Sequence, residues 1–368
     1  MRRRGAWGGA RDRVRRALRL APVLVGPWTA AAFLAAQLSG VSADRGDTLP
    51  GVLARSVLVG ALIGTAAAWL ESGALARWGR RFPLWAALAA RTLAYAAVVA
   101  ATMAVVVAVL SQLVYGVDLG DILRSAELRA FLSGGPFWTF SALLLVASFV
   151  INFALQIRRV LGPETLRALF LGTYRRPRRE ERAFAFLDLT DSTAWAERLG
   201  ALRFTELKND FFADVAEPVL STGGRIVQYV GDEVMVSWPM RRAERDAAPV
   251  RFFFLVEDRV AARAERYRRR YGDVPRFKAG CHGGGVVTAE VGDLKRDIVH
   301  SGDVVNTAAR IEGECQPRGR RLLVSAALLA RLPATPGLAA EPLGEVALRG
   351  KAEPVAICAV TQTAAPAA

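Results

Sequence analysis

Two acidic residues at the ends of apolar runs are the first candidates for chemistry. Asp188 follows Phe184-Ala185-Phe186-Leu187 and precedes Leu189-Thr190-Asp191-Ser192-Thr193. That is the pattern of a buried strand that ends in a carboxylate and then breaks into turn or helix-capping residues. Asp232 follows Gly231 between runs rich in β-branched residues that end at Val230 and resume at Val234, the pattern of a hairpin whose turn carries an acid. Two carboxylates on neighbouring strand tips offer hard oxygen ligands that can hold two Mg²⁺ ions together with substrate phosphates. This is the geometry of phosphoryl or nucleotidyl chemistry. Each acid taken singly also fits a structural part, Asp188 capping a helix and Asp232 completing its turn.

A third stretch, Gly302-Asp303-Val304-Val305-Asn306-Thr307-Ala308-Ala309-Arg310, reads as a helix. Asn306 and Arg310, four apart, share one face of it; at the same spacing Arg310 can instead pair with Glu314. The three stretches, in this order and spacing, resemble the signatures of class III nucleotide cyclases, and the likeness covers Arg182 to Val360, about half of the chain. The resemblance implies that Asp188 and Asp232, helped by the backbone carbonyl of Leu189, hold two Mg²⁺ or Mn²⁺ ions per site. It places the β- and γ-phosphates of a nucleoside triphosphate at the helix start around Thr190, Ser192 and Thr193, where free N–H groups suit anions; a Ser192 or Thr193 cap fits the same geometry. It gives Asn306 the ribose and Arg310 the transition-state phosphate, a role suited to a permanently charged, planar set of donors. In Leu348-Arg349-Gly350-Lys351, Arg349 stands where the family commonly has a lysine for the triphosphate, with Lys351 nearby as a substitute. Lys295 and Arg296 are further phosphate candidates, or solvated surface charges.

The base-reading positions depart from the family. Gln228 stands where adenylate cyclases have a lysine, and Val299 where they have aspartate or threonine; glutamine both donates and accepts, while valine only packs. ATP is favoured because adenylate cyclases are the commoner bacterial members. Guanylate or pyrimidine cyclase activity is the alternative, as is a catalytically silent nucleotide-binding receptor. A diguanylate cyclase is disfavoured, because its Gly-Gly-Asp/Glu-Glu-Phe signature is missing. Since family members draw the metal acids from one subunit and the base, Asn and Arg groups from the other, a chain with both half-sets is expected to be a homodimer.

The elements that must position these residues begin after Glu181. Strands are expected at 183–189, 297–301 and 320–324, hairpins at 224–238 and near 275–291, the latter broken by Gly283-Gly284-Gly285, and a final strand pair near 344–360. Helices are expected at 193–221, 243–270 and 303–314. Strands alternating with amphipathic helices give an α/β (α+β) ferredoxin-like domain over 183–368.

Ahead of it the chain is apolar and basic. Of 368 residues 52% are hydrophobic, the net charge is +15, and the mean hydropathy of +0.24 is high for a wholly soluble protein. Four apolar segments, at about 21–40, 52–71, 92–115 and 137–155, approach the ~20 residues needed to cross a bilayer, so residues 1–155 are expected to be a basic tail and a multi-span helical membrane domain. Arginines cluster in the tail, at Arg77, Arg80, Arg81 and Arg91, and at Arg158 and Arg159, whereas Asp44, Asp47, Asp118, Asp121 and Glu127 lie in the alternate loops. The positive-inside rule then makes the chain a multi-pass protein of the plasma (inner) membrane, with both termini and the catalytic domain cytoplasmic. This basic charge points to a lipid surface and not to nucleic acid, no nucleic-acid motif accompanying it. Residues 156–182 read as a connector helix, either pairing two subunits or lying on the membrane surface. Cys281, Cys315 and Cys358 have no zinc-like spacing.

Overall fold

Long apolar runs without a polar face fold as helices in the N-terminal unit, Met1–Pro163, of the computed structural model. These are α1 (Arg4–Leu38), α2 (Leu49–Ser72), α3 (Leu84–Tyr115), the short α4 (Leu119–Arg124) and α5 (Gly135–Leu161). The structure describes residues 4–38, 48–72, 83–115, 119–124, 126, 130, 133–294, 296–348, 351 and 353–363. Expectations that rest on Asp44, Asp47, Arg77, Arg80, Arg81, Asp118, Glu127, Lys295 and Arg349 lie outside the described residues. Three stretches, Leu49–Glu71, Trp85–Thr102 and Ser141–Arg158, are long and apolar enough to cross a membrane, and Leu20–Leu34 is a shorter apolar helix. The first of the four expected segments, 21–40, runs past the described residues at its end. α1 and α2 approach closely: a Cβ on Gly60 would meet the Thr29 backbone at 2.4 Å and one on Gly64 the Val25 backbone at 2.7 Å, so glycine at both positions is what lets the two backbones meet. Trp28, Ile63, Tyr95 and Leu144 join all four long helices in one core. The buried Glu71 carboxylate accepts from Tyr95 Oη at 3.0 Å and lies 3.4 Å from Arg91 Nε, so this buried charge is compensated.

The second unit, Glu164–Ala368, opens with α6 (Pro163–Phe170) and then alternates strands and helices. Its elements are β1 (Arg178–Leu189), α7 (Ser192–Ser221), β2 (Arg225–Val230), β3 (Glu233–Pro239), α8 (Met240–Asp246), α9 (Ala248–Ala262), α10 (Ala264–Tyr271), β4 (Phe277–Val291), β5 (Asp297–Ser301), α11 (Asp303–Gly313), β6 (Leu322–Ser325), α12 (Ala326–Leu329), β7 (Leu338–Val346) and β8 (Val355–Gln362). The sheet runs β2-β3-β1-β4-β6-β8-β7, with β5 on β4. Its first four strands have the antiparallel ferredoxin-like order. The parallel β4–β6 pair makes the whole sheet mixed.

Side-chain alternation in β1 divides the core. Ala183, Ala185, Leu187 and Leu189 face Leu207, Phe211, Phe252 and Phe253 of α7 and α9, whereas Phe184 and Phe186 face Met235, Val286 and Ala308 on the α11 side. The structure corrects two expectations. The stretch 275–291 is not a hairpin: Gly283-Gly284-Gly285 lie inside one continuous strand that pairs with β1 from Arg178 to Leu189. The helix expected over 243–270 is three helices, broken where Ala247 turns left-handed at φ 49° and at Arg263. The short α12, capped by Ser325, was not anticipated.

Candidate active site

Asp188 lies near the end of β1, in register with Glu233 of β3 and Lys278 of β4. The β2–β3 turn holds only Gly231 and Asp232. Gly231 has φ 62°, a conformation that costs glycine nothing and suits the first turn position, and Lys208 of α7 donates to its carbonyl at 3.3 Å. This turn carries Asp232 to the side of Asp188. Burial pushes the Asp188 carboxyl up, the Lys278 hydrogen bond pulls it down, and the adjoining Asp232 raises it again. Lys278 Nζ is 3.1 Å from Asp188 Oδ2 and also pairs with Glu312 of α11. Burial works to lower the Lys278 ammonium, but its bonds to Glu312 and Asp188 raise it overall. Burial, with the charges of Glu312 and Asp188 beside it, pushes Glu233 up to about 7.

Asp188 and Glu312 share the one Lys278 ammonium, Glu233 lies within reach of its charge, and Asp232 adjoins Asp188, an excess of acids that suits a bound cation. All the donors are hard oxygens, which fits Mg²⁺ or Mn²⁺. Among the described residues no three or more His, Cys, Asp or Glu side chains converge as a metal cage. A cation here would therefore rest on the two aspartates, backbone oxygen and substrate phosphates, the usual mode for Mg²⁺.

Next to Asp188 the chain enters α7 without a side-chain cap. Asp191, at φ 57° and ψ 36°, is left-handed and makes no capping bond, and neither Ser192 nor Thr193 takes that part. The first helical bond runs from Trp195 N to Asp191 O at 3.0 Å. The amides of Ser192, Thr193 and Ala194 precede that bond, so the helix start presents donors and a positive dipole end. Leu189 is buried, and the Thr190 amide is bound to the Arg276 carbonyl at 2.9 Å.

α11 lies on β4 with Thr307, Ala308, Ile311 and Glu312 inward. A Cβ on Gly280 would meet Glu312 N at 2.1 Å and the Ala308 carbonyl at 2.7 Å, so this packing requires glycine there. Asn306 and Arg310 fall on the outer face, Asn306 exposed and Arg310 half-buried. Arg310 Nη1 is buried without a partner. The pairing of Arg310 with Glu314 does not occur among the described residues; Glu314 instead holds Arg318 at 3.1 Å. Lys351 Nζ sits 2.9 Å from Asp303 Oδ2 at the start of α11 and holds that carboxyl below its ordinary range.

The two expected base-reading residues are placed differently. Gln228 is exposed on β2 just after a bulge, opposite Met235, and so shares a face with Phe186. Val299 pairs with Ala289 and by strand alternation falls on the other face. The structure therefore does not bring the two together on one face of one chain. The neighbouring His300 is buried on the Gln228 face against Phe184, its Nδ1 2.7 Å from Thr288 Oγ1 and its Nε2 unpartnered. Burial, aided by Arg182 and Arg225, pushes it down to about 3.

Sequence reasoning missed Lys278, Glu233 and Glu312. Lys278 and Glu312 became visible only with the β1–β4 register and the seat of α11. The signal for Glu233 was its place beside Asp232.

The family described as the adenylate and guanylate cyclase catalytic domain matches residues 175–359. Adenylate cyclase 2 of Rhizobium meliloti (strain 1021) is 41% identical over 243 residues, 66% of this chain and 66% of the relative. Adenylate cyclase 1 of the same strain is 28% identical over 187 residues, 50% of this chain and 28% of the relative. The chain thus spans less than two thirds of the length of each. Among solved structures, the adenylyl cyclase CyaB from P. aeruginosa is 21% identical, with a TM-score of 0.45, over 51% of this chain and 97% of that one.

Proposed function

Since the chain belongs to the adenylate and guanylate cyclase catalytic-domain family, we propose that it is a membrane-anchored adenylate cyclase, converting ATP to 3′,5′-cyclic AMP and pyrophosphate at sites shared by two copies of the chain. The observation that carries the reading is the pairing of Asp188 with Asp232 beside the uncapped start of α7. The preference for ATP rests on the 41% identical relative named as an adenylate cyclase.

In this reading Asp188 and Asp232, with the Leu189 carbonyl, hold two divalent ions. When bound, such ions lower the pKa of the ribose 3′-hydroxyl and neutralise triphosphate charge. The amides at Ser192 and Thr193 receive the β- and γ-phosphates. Asn306 orients the ribose, and the Arg310 guanidinium meets the charge that grows on the α-phosphate as the 3′-oxygen attacks and pyrophosphate leaves. Arg349 and Lys351 supply further positive charge to the triphosphate, and Gln228 borders the base. α11 supports the shared arrangement: Glu312 on its inner face reaches the chain's own Lys278–Asp188 cluster, while Asn306 and Arg310 look outward, as a partner's site requires. The apolar N-terminal helices tether residues 183–368 through the 156–182 connector to the cytoplasmic face of the plasma membrane, with Leu20–Leu34 as a fourth crossing.

The experiment is incubation of the purified full chain with ATP, GTP, CTP or UTP and Mg²⁺ or Mn²⁺, followed by identification of the product. Cyclic AMP as the main product is expected. A cyclic guanosine or pyrimidine product would reassign the base, and no cyclic product with any triphosphate would overturn the enzymatic reading.

A further inference from the structure

The connector presents two unlike sides. Its inner side is fastened to the catalytic sheet: Arg225 Nη2 donates to Thr165 Oγ1 at 2.8 Å, Glu290 N to the Tyr174 carbonyl at 2.8 Å, and Tyr174 Oη to Glu180 at 3.4 Å. Its outer side carries Phe170 and Leu171, adjacent and 89% and 61% exposed. In the same stretch of chain Arg167, Arg175, Arg176, Arg178 and Arg179 are all exposed, Arg178 and Arg179 on opposite faces of the start of β1, and none of the five enters an ion pair among the described residues.

Two neighbouring large apolar side chains amid unpaired arginines are poorly matched to water. They match the boundary of a bilayer, where rings and aliphatic chains reach below the headgroups and guanidinium groups meet phosphate. The tether brings that boundary within reach. Arg158 ends the last apolar stretch, and Phe170 follows twelve residues later, mostly through helix, so the two lie within about 25 Å of chain path.

We propose that the strap from Arg167 to Arg179 is a docking surface for anionic lipid headgroups of the bilayer that the chain's own helices cross, a proposal that rests on the membrane-crossing reading above. Phe170 and Leu171 enter the interface, and the arginines hold phosphodiester groups of phosphatidylglycerol type. Because Thr165 and Tyr174 bind the strap to β1, β2 and β4, the contact seats the catalytic unit on the leaflet surface.

The test uses the full chain in nanodiscs of phosphatidylcholine, alone or with about 30 mol% phosphatidylglycerol. An environment-sensitive fluorophore is placed on a Phe170→Cys variant, the native Cys281, Cys315 and Cys358 being buried. A Leu202→Cys variant, at an exposed position of α7, is the reference. With the anionic lipid, the probe at 170 is expected to shift to the blue and to be quenched at least about twofold more by a lipid-borne nitroxide, while the probe at 202 does not change. High salt, or Arg175→Glu with Arg176→Glu, Arg178→Glu and Arg179→Glu, should remove the effect; the milder pair Arg175→Gln and Arg176→Gln should weaken it. Emission indifferent to lipid charge would overturn the proposal. So would a change that follows the number of chains per disc, because the strap would then bind a second copy. Failure of the protein to co-float with lipid would overturn the membrane-crossing reading and the proposal with it, whereas co-flotation with an unresponsive probe would overturn the proposal alone.

Discussion

Lys278 is the cation among Asp188, Glu233 and Glu312, and its removal gives the account a quantitative test. In Lys278→Met the aliphatic stem stays and the ammonium goes, leaving Asp188 and Glu312 without the partner that lies 3.1 Å from Asp188. Breaking a buried ion pair from one side costs about 3–5 kcal/mol. Here the Asp188 side chain is 21% exposed and that of Lys278 12%, so screening brings the expected loss to about 2–3 kcal/mol. For a domain of this size that lowers Tm by roughly 5–10 °C. The loss should belong to the metal-free protein. A divalent ion neutralises the same carboxylates, and in the variant it no longer competes with Lys278 for Asp188. Saturating Mn²⁺ or Mg²⁺ should therefore raise the Tm of Lys278→Met more than that of the native chain, narrowing the gap. The assay is thermal unfolding of the full chain by calorimetry in EDTA and across a metal titration. A gap that is absent in EDTA, or that widens with metal, would refute the placement of the cation site on these acids.

Gly280→Ala should displace α11, since its Cβ would meet Glu312 N at 2.1 Å; overpacking of this kind costs about 1–3 kcal/mol. Moving Asn306 and Arg310 by about 1 Å should lower turnover roughly 100-fold, which steady-state kinetics beside a melting curve would check. The two histidines predict an acid-labile catalytic unit. Burial pushes His282 down to about 4 and His300 to about 3, below the ordinary value of about 6.5. Their neutral forms therefore support the fold fully above pH ~6.5, and that contribution falls as pH drops from there toward the folded values, by up to about 1.4 kcal/mol per pH unit for each. Denaturant titrations of the native chain and His300→Gln across that window should show the smaller slope in the variant. Gln228→Ala should blur selection among ATP, GTP, CTP and UTP more than it slows turnover of the best substrate, by roughly 1–3 kcal/mol of discrimination; competition assays would show an unchanged preference if the base is read elsewhere.

Much of the catalytic half was legible because its signals are local. An apolar run ending at Asp188, Gly-Asp between two strand-like runs, and Asn306 four residues before Arg310 each fix their own geometry, and β1, the β2–β3 hairpin and α11 lie within a few residues of their expected bounds. What failed depends on pairing at a distance. Three successive glycines read as a turn, but in β4 they stay extended: a Cβ on Gly284 would meet Val304 of α11 at 2.9 Å and one on Gly283 would meet Met240 and Leu328 on the other face. Lys278 looked like a strand residue of no special note until the β1 register set it opposite Asp188. Val299 illustrates the limit of motif spacing: its position relative to Gly302 matched the family's pattern, yet the β4–β5 pairing turns its side chain to the face away from Gln228. The apolar part of the first helix, Leu20–Leu34, is the shorter one among the described residues, because charged residues fill the start of that helix.

The central claim is a cyclase site assembled from two copies of the chain, and complementation tests it most directly. Asp188→Ala and Arg310→Ala protein should each be inactive alone, because every site in either homodimer lacks one essential group. Mixed under conditions of subunit exchange, half of the dimers become heterodimers with one intact site of two, so activity should recover to about a quarter of the native level. Recovery near that fraction, with cyclic AMP as the product, is the result expected. No recovery despite demonstrated exchange would place the whole site within one chain and contradict the account.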